Sequence, residues 1–124
     1  MLQPAQMNPS GQHTAAPDGA VTFWANNGAL EGQVAVAKGS VTVWILAEGT
    51  LVDADYPVLD INLDNRAVGR IHIDSPSPRE YTIATTLDHT GSVPLRIAVV
   101  NQVSKPEFMR RNLTIRTVWV SPPI

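Results

Sequence analysis

Apolar and polar residues alternate through most of this 124-residue chain from residue 20 onward. In the run Val58–Leu63, Leu59 and Ile61 alternate with polar residues, which is typical of a strand with one buried face. Seven other short runs are rich in Val, Ile and Thr: Val21–Trp24, Gln33–Val36, Ser40–Leu46, Val68–Ile73, Glu80–Leu87, Val93–Val100 and Asn112–Val120. None of them shows sustained helical periodicity, so the pattern predicts an all-β chain.

Turn-forming residues separate these runs. Asn26-Asn27-Gly28 follows the first run, and Asp64–Ala67 joins two runs that we expect to form a hairpin. Seven or eight short strands with turns between them predict an antiparallel two-sheet β-sandwich, because two sheets are needed to bury both sets of apolar faces. Periodicity alone does not separate an immunoglobulin-like sandwich from a jelly roll.

The alternation also predicts the core. We expect burial of the apolar residues that have polar partners between them: Leu59, Ile61, Ile71, Ile73, Ile83, Ile97, Val99 and Ile115. Trp44 lies opposite Val43 and Ile45, so it faces either water or a second layer. An exposed Trp can stack on a sugar ring, but core packing is the more common role, and we expect it for Trp44, Trp24 and Trp119.

The length fits one domain. Residues 1–18 are rich in Pro, Gln, Ser, Gly and Ala, which is typical of a linker or disordered tail. We therefore expect residues 1–18 to lack regular structure and residues 19–124 to form the domain. A linker before a compact domain suggests a module of a longer chain.

The charge and composition exclude several functions. Nine Lys and Arg residues against eleven Asp and Glu residues give a net charge of −2, so we expect no nucleic-acid partner. The longest apolar runs fall well short of the roughly 20 residues that a membrane-spanning helix needs, so we expect no membrane insertion. The absence of cysteine excludes disulfides and thiolate metal sites.

The histidines and acids do not indicate an enzyme. His13 lies in the predicted linker, His72 points outward on a strand, and His89 follows Asp88 in a turn. A catalytic His needs a positioned nucleophile and an orienting carboxylate, and the sequence contains no Gly-x-Ser-x-Gly motif. The neighbouring acids of residues 53–55 are typical of a solvated turn rather than of a glycosidase pair.

Residues 19–121 resemble the β-sandwich carbohydrate-binding modules of the calcium-dependent, xylan-binding type, families 36 and 60, and their family 35 relatives. Four segments carry the resemblance: Val41–Thr50, Tyr56–Gly69, Arg79–Thr82 and Asn101–Leu113. They are similar to the family's alternating strand ending in Ala-x-Gly-Thr, its Asp-Gly-x-x-Val-Gly hairpin, its Tyr-Thr strand and its loop ending in Arg-Asn-Leu. The resemblance implies a jelly-roll sandwich that binds a polysaccharide or oligosaccharide, tethered to other domains of an extracellular or periplasmic protein.

The loop 101–112 is the expected binding site, together with residues 49–56, because inter-strand loops usually carry the recognition chemistry of a β domain. The candidate carbohydrate-binding residues are Asn101, Gln102, Glu107, Arg111, Asn112 and Tyr56. Arg111 could brace the loop by hydrogen bonds as readily as contact a ligand.

The resemblance implies a calcium ion in this loop, but two acidic positions of the family are changed. Gln102 and Arg110 stand where the family has acids, and Glu107 is the acid that remains within the loop. Calcium prefers several oxygen ligands, with carboxylates supplying most of the affinity. We therefore expect no cofactor and no family-type calcium site.

Two functions remain open. The first is a non-catalytic carbohydrate-binding module, which the retained Asn…Arg-Asn-Leu frame favours. The second is a structural or docking sandwich that has lost sugar and calcium binding and mediates protein contacts. The altered acidic positions favour that alternative.

Overall fold

The structure is a computed structural model, and it describes residues 7–10, 13–15, 19–23, 28–49, 57–99 and 113–121. These residues form ten strands: β1 Asn8–Ser10, β2 His13–Ala15, β3 Val21–Phe23, β4 Ala29–Val36, β5 Gly39–Gly49, β6 Val58–Leu63, β7 Arg66–His72, β8 Arg79–Leu87, β9 Gly91–Val99 and β10 Leu113–Ser121. No helix in the described ranges is long and apolar enough to cross a membrane.

The strands make two five-stranded antiparallel sheets. Sheet I has the order β2-β3-β10-β5-β8, and sheet II has the order β1-β4-β9-β6-β7. The inner faces of the two sheets bury one apolar core, whose largest fully buried side chains include Phe23, Leu30, Ile45, Leu59, Ile61, Leu63, Leu95, Ile97, Leu113 and Ile115. The predicted fold class, an all-β two-sheet sandwich of the jelly-roll type, is confirmed.

Seven of the eight predicted core residues are buried. The exception is Ile83, which is only partly buried although it packs against the core. Ile83 lies on β8, an edge strand of sheet I, so one flank of its side chain has no neighbouring strand to cover it. Alternation thus predicts the direction of a side chain but not the depth of its burial, since Ile71 on the other edge strand, β7, is buried.

The prediction that residues 1–18 lack regular structure is wrong for two segments. Asn8–Ser10 pairs with β4 at the edge of sheet II, and His13–Ala15 pairs with β3 at the edge of sheet I. Met7 is 5% exposed and belongs to the core. A polar composition does not prevent these pairings, because backbone groups rather than side chains join an edge strand to its neighbour, and an edge position also tolerates Pro9.

The loop that joins β6 and β7 is shorter than the predicted turn at 64–67. Asp64 and Asn65 form the two-residue loop with φ angles of 58° and 61°, as a type I′ turn requires. Ile61 faces Gly69 whereas Asn62 faces Ala67, so β7 carries one extra residue in a bulge. Gly69 has a φ of 152°, and a Cβ there would lie 2.9 Å from Ile83, so a larger residue would be strained.

Pro94 lies in β9, an interior strand of sheet II, where a proline usually removes a ladder hydrogen bond. The backbone N–H of Asp64 donates to the carbonyl of Pro94 at 2.9 Å. The nitrogen and carbonyl of one residue in an antiparallel strand point to the same side. On that side β6 ends at Leu63, so no carbonyl of β6 depends on a hydrogen bond from the nitrogen of Pro94.

Candidate functional site

The strand ends that flank the predicted binding loop meet at one end of the sandwich. Leu113 faces Gly49 across sheet I, and Leu59 faces Val99 across sheet II. The N–H of Val99 also donates to the carbonyl of Gly28 at 2.9 Å. Residues 24–27, 50–56 and 100–112 therefore connect to strands at the same end, which we call the loop end.

The predicted carbohydrate-binding residues lie outside the residues that the structure describes: Asn101, Gln102, Glu107, Arg111, Asn112 and Tyr56. Their roles stay predictions. The register supports the expectation that residues 50–56 and 100–112 contribute to one site. The strands before these two segments end at the same side of the fold at which the strands after them begin.

Two acids in the described part of the loop end are already held by arginines. Arg116 Nε donates to Glu48 Oε1 at 2.6 Å, and Arg79 Nη1 donates to Asp74 Oδ1 at 3.2 Å. The hydroxyl of Tyr81 also donates to Asp74 Oδ1, at 2.8 Å. These two carboxylates are therefore already paired. Gln102, Glu107 and Arg110, on which the calcium expectation rests, lie outside the described residues, so that expectation stays a prediction.

Tyr81 ties the edge strand β8 to the segment after β7. Its hydroxyl accepts a hydrogen bond from the backbone N–H of Asp74 at 3.0 Å while donating to the carboxylate of the same residue. Burial is the largest cause that raises the pKa of Tyr81 above its ordinary value of 10.0. The hydroxyl therefore stays protonated at neutral pH and keeps its role as a donor.

The outer face of sheet I carries a pair of tryptophans. Trp44 on β5 and Trp119 on β10 are directly opposite each other, and their rings stack with centroids 5.8 Å apart and planes at 6°. Both side chains are half-buried and lie outside the core. The expectation that Trp44 and Trp119 are core residues is therefore wrong, because alternation directs both of them away from the inner face.

Hydroxyl and apolar groups surround this pair. We call the outward set the tryptophan face: Thr42, Trp44, Leu46, Thr82, Thr117 and Trp119. Farther along the same side of sheet I, Thr22 and Thr114 share a hydrogen bond of 2.8 Å, and Glu48 pairs with Arg116. The tryptophan face itself contains no charged residue, although the exposed Glu80 on β8 lies directly opposite Leu46 at its edge.

The exposed part of the Trp44 ring is made of carbon. Its Nε1 is fully buried, and no acceptor lies within hydrogen-bond distance among the described residues. Indole carbons stack favourably on flat apolar surfaces, such as the C–H face of a pyranose, whereas the neighbouring threonine hydroxyls can donate and accept hydrogen bonds. The arrangement suits a ligand that is both flat and rich in hydroxyl groups.

Sequence reasoning missed Trp119 as a member of a site. The signal was present, because Trp44 lies between Val43 and Ile45 and Trp119 lies between two valines, so both alternate with core residues. The pairing register of β5 with β10, which places the two rings opposite each other, is not visible in either run alone.

The outer face of sheet II has a different chemistry. Arg96 Nε donates to Glu31 Oε1 at 3.1 Å, and Arg70 Nε donates to Asp60 Oδ1 at 2.7 Å. Among the described residues of this face there is no Trp, Tyr or Phe. Four side chains of this face thus form two cross-strand pairs of opposite charge.

A small ion-paired cluster lies at the end opposite the loop end. His89 Nδ1 and Asp88 Oδ1 are 2.8 Å apart, and His89 Nε2 lies 3.6 Å from Asp64 Oδ2. The ligand atoms of these residues lie within 4.8 Å of one another, but exposed acidic groups at such spacing are common without a metal. The hydrogen bond to Asp88, followed by the charge of Asp64, raises the pKa of His89, and the cluster is explained as an ion pair.

No protein-family model matches this chain, and no curated protein matches it either. Solved structures do match. A family 36 carbohydrate-binding domain of a multidomain xylanase from the hindgut metagenome of Trinervitermes trinervoides is 19% identical with a TM-score of 0.75, over 98% of this chain and 95% of that one.

Two further structures extend the comparison. A family 36 module in complex with calcium and xylotriose is 15% identical, with a TM-score of 0.74 over 97% of this chain and 98% of that one. A family 35 module from Clostridium thermocellum is 14% identical, with a TM-score of 0.63 over 93% and 87%. The fold of this chain is therefore that of the β-sandwich carbohydrate-binding modules of families 36 and 35, as the sequence resemblance implies.

Proposed function

We propose that this protein is a non-catalytic carbohydrate-binding domain and that its ligand is a polysaccharide or oligosaccharide. The observation that carries the proposal is the stacked pair of Trp44 and Trp119, which lies among threonines on the outer face of sheet I. The fold is that of modules described in complex with xylotriose or as mannan-binding, which supports the same class of ligand.

The tryptophan face binds by covering apolar ring area that is otherwise in water. Covering about 60 Å² of indole carbon at about 25 cal/mol per Å² contributes about 1.5 kcal/mol for each ring. The two strands hold the rings in place before the ligand arrives, so little side-chain entropy is lost on binding. The surrounding threonines then orient the sugar through its hydroxyl groups.

The loop end supplies a second set of contacts in this proposal. Polar groups of residues 101–112, with Tyr56, bind sugar hydroxyls directly and without a calcium ion. The residues assigned to this role are Asn101, Gln102, Glu107, Arg111 and Asn112. Amide and guanidinium groups are suited to it, because each donates or accepts several hydrogen bonds at once.

The non-catalytic assignment is supported by the state of the described acids. Glu31, Glu48 and Asp60 are each paired with an arginine. Most glycosidases instead use two carboxyl groups that face each other across the scissile bond, one of them able to give up a proton. Ion pairs of this kind serve structure and recognition rather than proton transfer.

The proposal also includes the location of the protein and its tethering to other domains. A binding domain of this kind is tethered to other domains of an extracellular or periplasmic protein, where it raises the effective concentration of its partner domain at the polysaccharide. The similar domain from the termite hindgut is part of a multidomain xylanase, which supports such an arrangement.

Affinity electrophoresis tests the function directly. The wild-type chain is run in gels that contain soluble xylan, mannan or mixed-linkage glucan, with calcium or with a chelator. We expect retardation in at least one polysaccharide in both conditions, and weaker retardation for Trp44→Ala and Trp119→Ala. Trp119→Phe, which keeps an aromatic ring, should restore part of the binding.

Thr86→Ala is the matched control, because Thr86 is exposed on the same outer face but on the edge strand and away from the rings. It should bind as the wild type does. A chain that is not retarded by any polysaccharide would overturn the proposal and leave the protein-docking alternative.

A further inference from the structure

A pocket of about 250 Å³ opens on the outer face of sheet II, next to the turn between β6 and β7. Its lining combines one acid, one arginine, two amides and a proline, Glu31, Arg96, Asn62, Asn65 and Pro94, together with Leu95, whose side chain is buried in the core. We propose that this pocket is a further carbohydrate-binding site, separate from the tryptophan face and the loop end, which takes one neutral sugar residue through hydrogen bonds. This rests on the proposed function, since it assigns another site to the same class of ligand.

Strand register brings the polar groups together. Arg96 on β9 faces Glu31 on β4 on one side and Asn62 on β6 on the other, so the three side chains form one row across sheet II. Asn65 joins the row from the turn, where its φ of 61° is a conformation that Asn tolerates better than most residues. Four polar side chains from three strands and a turn thus line a single depression.

The chemistry of the row suits a neutral ligand. The contact between Arg96 and Glu31 cancels their charges, so an acidic or a basic ligand would have to displace one partner. Arg96 engages Glu31 through Nε, and a guanidinium has five N–H donors, so further N–H groups of Arg96 can donate to ligand oxygens. The carboxylate accepts hydroxyl hydrogens, and each amide does both.

The size of the pocket limits the ligand. Pockets that hold drug-sized molecules have about 300–1,000 Å³, and this one is smaller. One sugar ring matches that scale, with its apolar edge against Pro94 and its hydroxyls on the polar row. The pocket is open to solvent, so further residues of a chain could extend from it along the face.

The pocket and the tryptophan face lie on different sheets and therefore can be tested separately. Amide resonances of the uniformly labelled full chain are followed by nuclear magnetic resonance during titration with methyl xyloside, methyl glucoside and methyl mannoside. We expect one of these sugars to shift the backbone signals of Glu31 and Arg96 and the side-chain amide signals of Asn62 and Asn65. The shifts should saturate.

Two variants probe the polar row. Asn62→Ala removes neutral hydrogen bonds worth about 0.5–1.5 kcal/mol, so its dissociation constant should rise about two- to tenfold. Glu31→Gln removes a charged acceptor worth about 1.5–3 kcal/mol, which corresponds to about a 10- to 150-fold rise. Gln33→Ala, on the adjacent exposed position of β4 and outside the lining, is the control and should bind as the wild type does.

The same spectra distinguish the two sites. If sugars or oligosaccharides shift the indole signals of Trp44 and Trp119 but leave the pocket signals unmoved, the pocket proposal is wrong and the proposed function stands. If the pocket signals shift and both variants bind as the wild type does, the pocket assignment is also wrong. If no signal moves with any sugar, both proposals fail.

Discussion

The two outer faces of the sandwich are built by the same alternation but present opposite chemistry. In the middle of sheet I, Trp44 stacks on Trp119. On the outer face of sheet II, two cross-strand pairs are instead oppositely charged, Asp60 with Arg70 at 2.7 Å and Glu31 with Arg96 at 3.1 Å. Both kinds of pair follow from residues that point away from the core, so direction alone does not tell what an outer face does.

The difference lies in what each pair leaves in water. An exposed ion pair contributes about 0–1 kcal/mol, because both charges are already well solvated before they meet. The aromatic pair leaves indole carbon in contact with solvent, and covering that carbon is favourable. A flat ligand therefore covers more apolar surface on sheet I than on sheet II. The pocket of sheet II offers mainly hydrogen bonds, with Pro94 as its apolar contact.

The largest expected effect comes from removing both rings of the tryptophan face. If each ring contributes about 1.5 kcal/mol, the double variant Trp44→Ala with Trp119→Ala loses about 3 kcal/mol, or about a hundredfold in affinity. The loss is measured by isothermal titration with an oligosaccharide derived from the polysaccharide that retards the wild-type chain in affinity electrophoresis. Circular dichroism of the variant should keep the all-β spectrum, because neither side chain belongs to the core.

The matched variant on the other face is Asp60→Asn, which removes an outer charge and lines neither proposed site. Its affinity for the same oligosaccharide should stay within about twofold of wild type. An equal loss in Asp60→Asn would show that both faces act through a general effect on the fold, and the comparison between them would lose its meaning.

The sequence predicts the strands well because alternation is a local property. The pattern predicts Val58–Leu63 with the bounds that the structure has, and Asp64 and Asn65 supply the positive φ angles that their turn requires. Burial of Leu59 and Ile61 follows from the same pattern. These outcomes depend on neighbours within a few residues, which is the range that a sequence pattern describes.

Other features depend on residues far apart in the chain. The tryptophan pair needs the register that joins position 44 to position 119, and neither run contains it. The edge strands Asn8–Ser10 and His13–Ala15 exist because β4 and β3 leave backbone groups open, which the composition of residues 1–18 does not report. The proposed pocket likewise combines three strands that are separated in sequence.

A smaller effect concerns the stability that each face gives to its own sheet. Glu48, with an 18% exposed side chain, pairs with Arg116 on sheet I, whereas Asp60 is 36% exposed in its pair on sheet II. Glu48→Gln should lower the free energy of unfolding by about 1–2 kcal/mol, because a part-buried arginine loses a charged acceptor. Asp60→Asn should cost about 0–1 kcal/mol.

Urea denaturation of both variants measures this difference through the midpoint, provided that the slope stays that of the wild type. High salt should reduce the cost of Asp60→Asn more than that of Glu48→Gln, because exposed pairs are screened more strongly. The opposite order of costs would mean that burial does not rank these two pairs.

The pH dependence of the His89 cluster is smaller still, because His89 and Asp88 are exposed. The hydrogen bond to Asp88 and then the charge of Asp64 raise the pKa of His89 above 6.5, and the hydrogen bond to His89 lowers the pKa of Asp88 below 3.8. The His89 contribution to stability is fully present below pH 6.5 and is lost as the pH rises through the raised value.

The Asp88 contribution has the opposite direction: it is present above pH 3.8 and is lost as the pH falls through the lowered value. The pair therefore stabilises the fold most between about pH 4 and pH 6.5. Nuclear magnetic resonance of the His89 imidazole should show a lower pKa in Asp88→Asn than in the wild type. An unchanged titration would mean that the two side chains do not interact in solution.

The smallest expected effect is that of added calcium. Its addition tests whether the loop end binds an ion, which neither outer face needs in the proposed function. Gln102 and Arg110 stand at the acidic positions of the family, and within the loop Glu107 is the remaining acid. A single carboxylate beside a cation binds calcium weakly, since affinity follows the number of charged ligands. Added calcium at millimolar concentration should therefore leave the melting temperature unchanged, because a ligand that does not bind the folded state does not stabilise it. Calorimetric titration measures the same property directly, and a tight one-to-one heat signal that disappears in Glu107→Gln would contradict this expectation and restore calcium to the site.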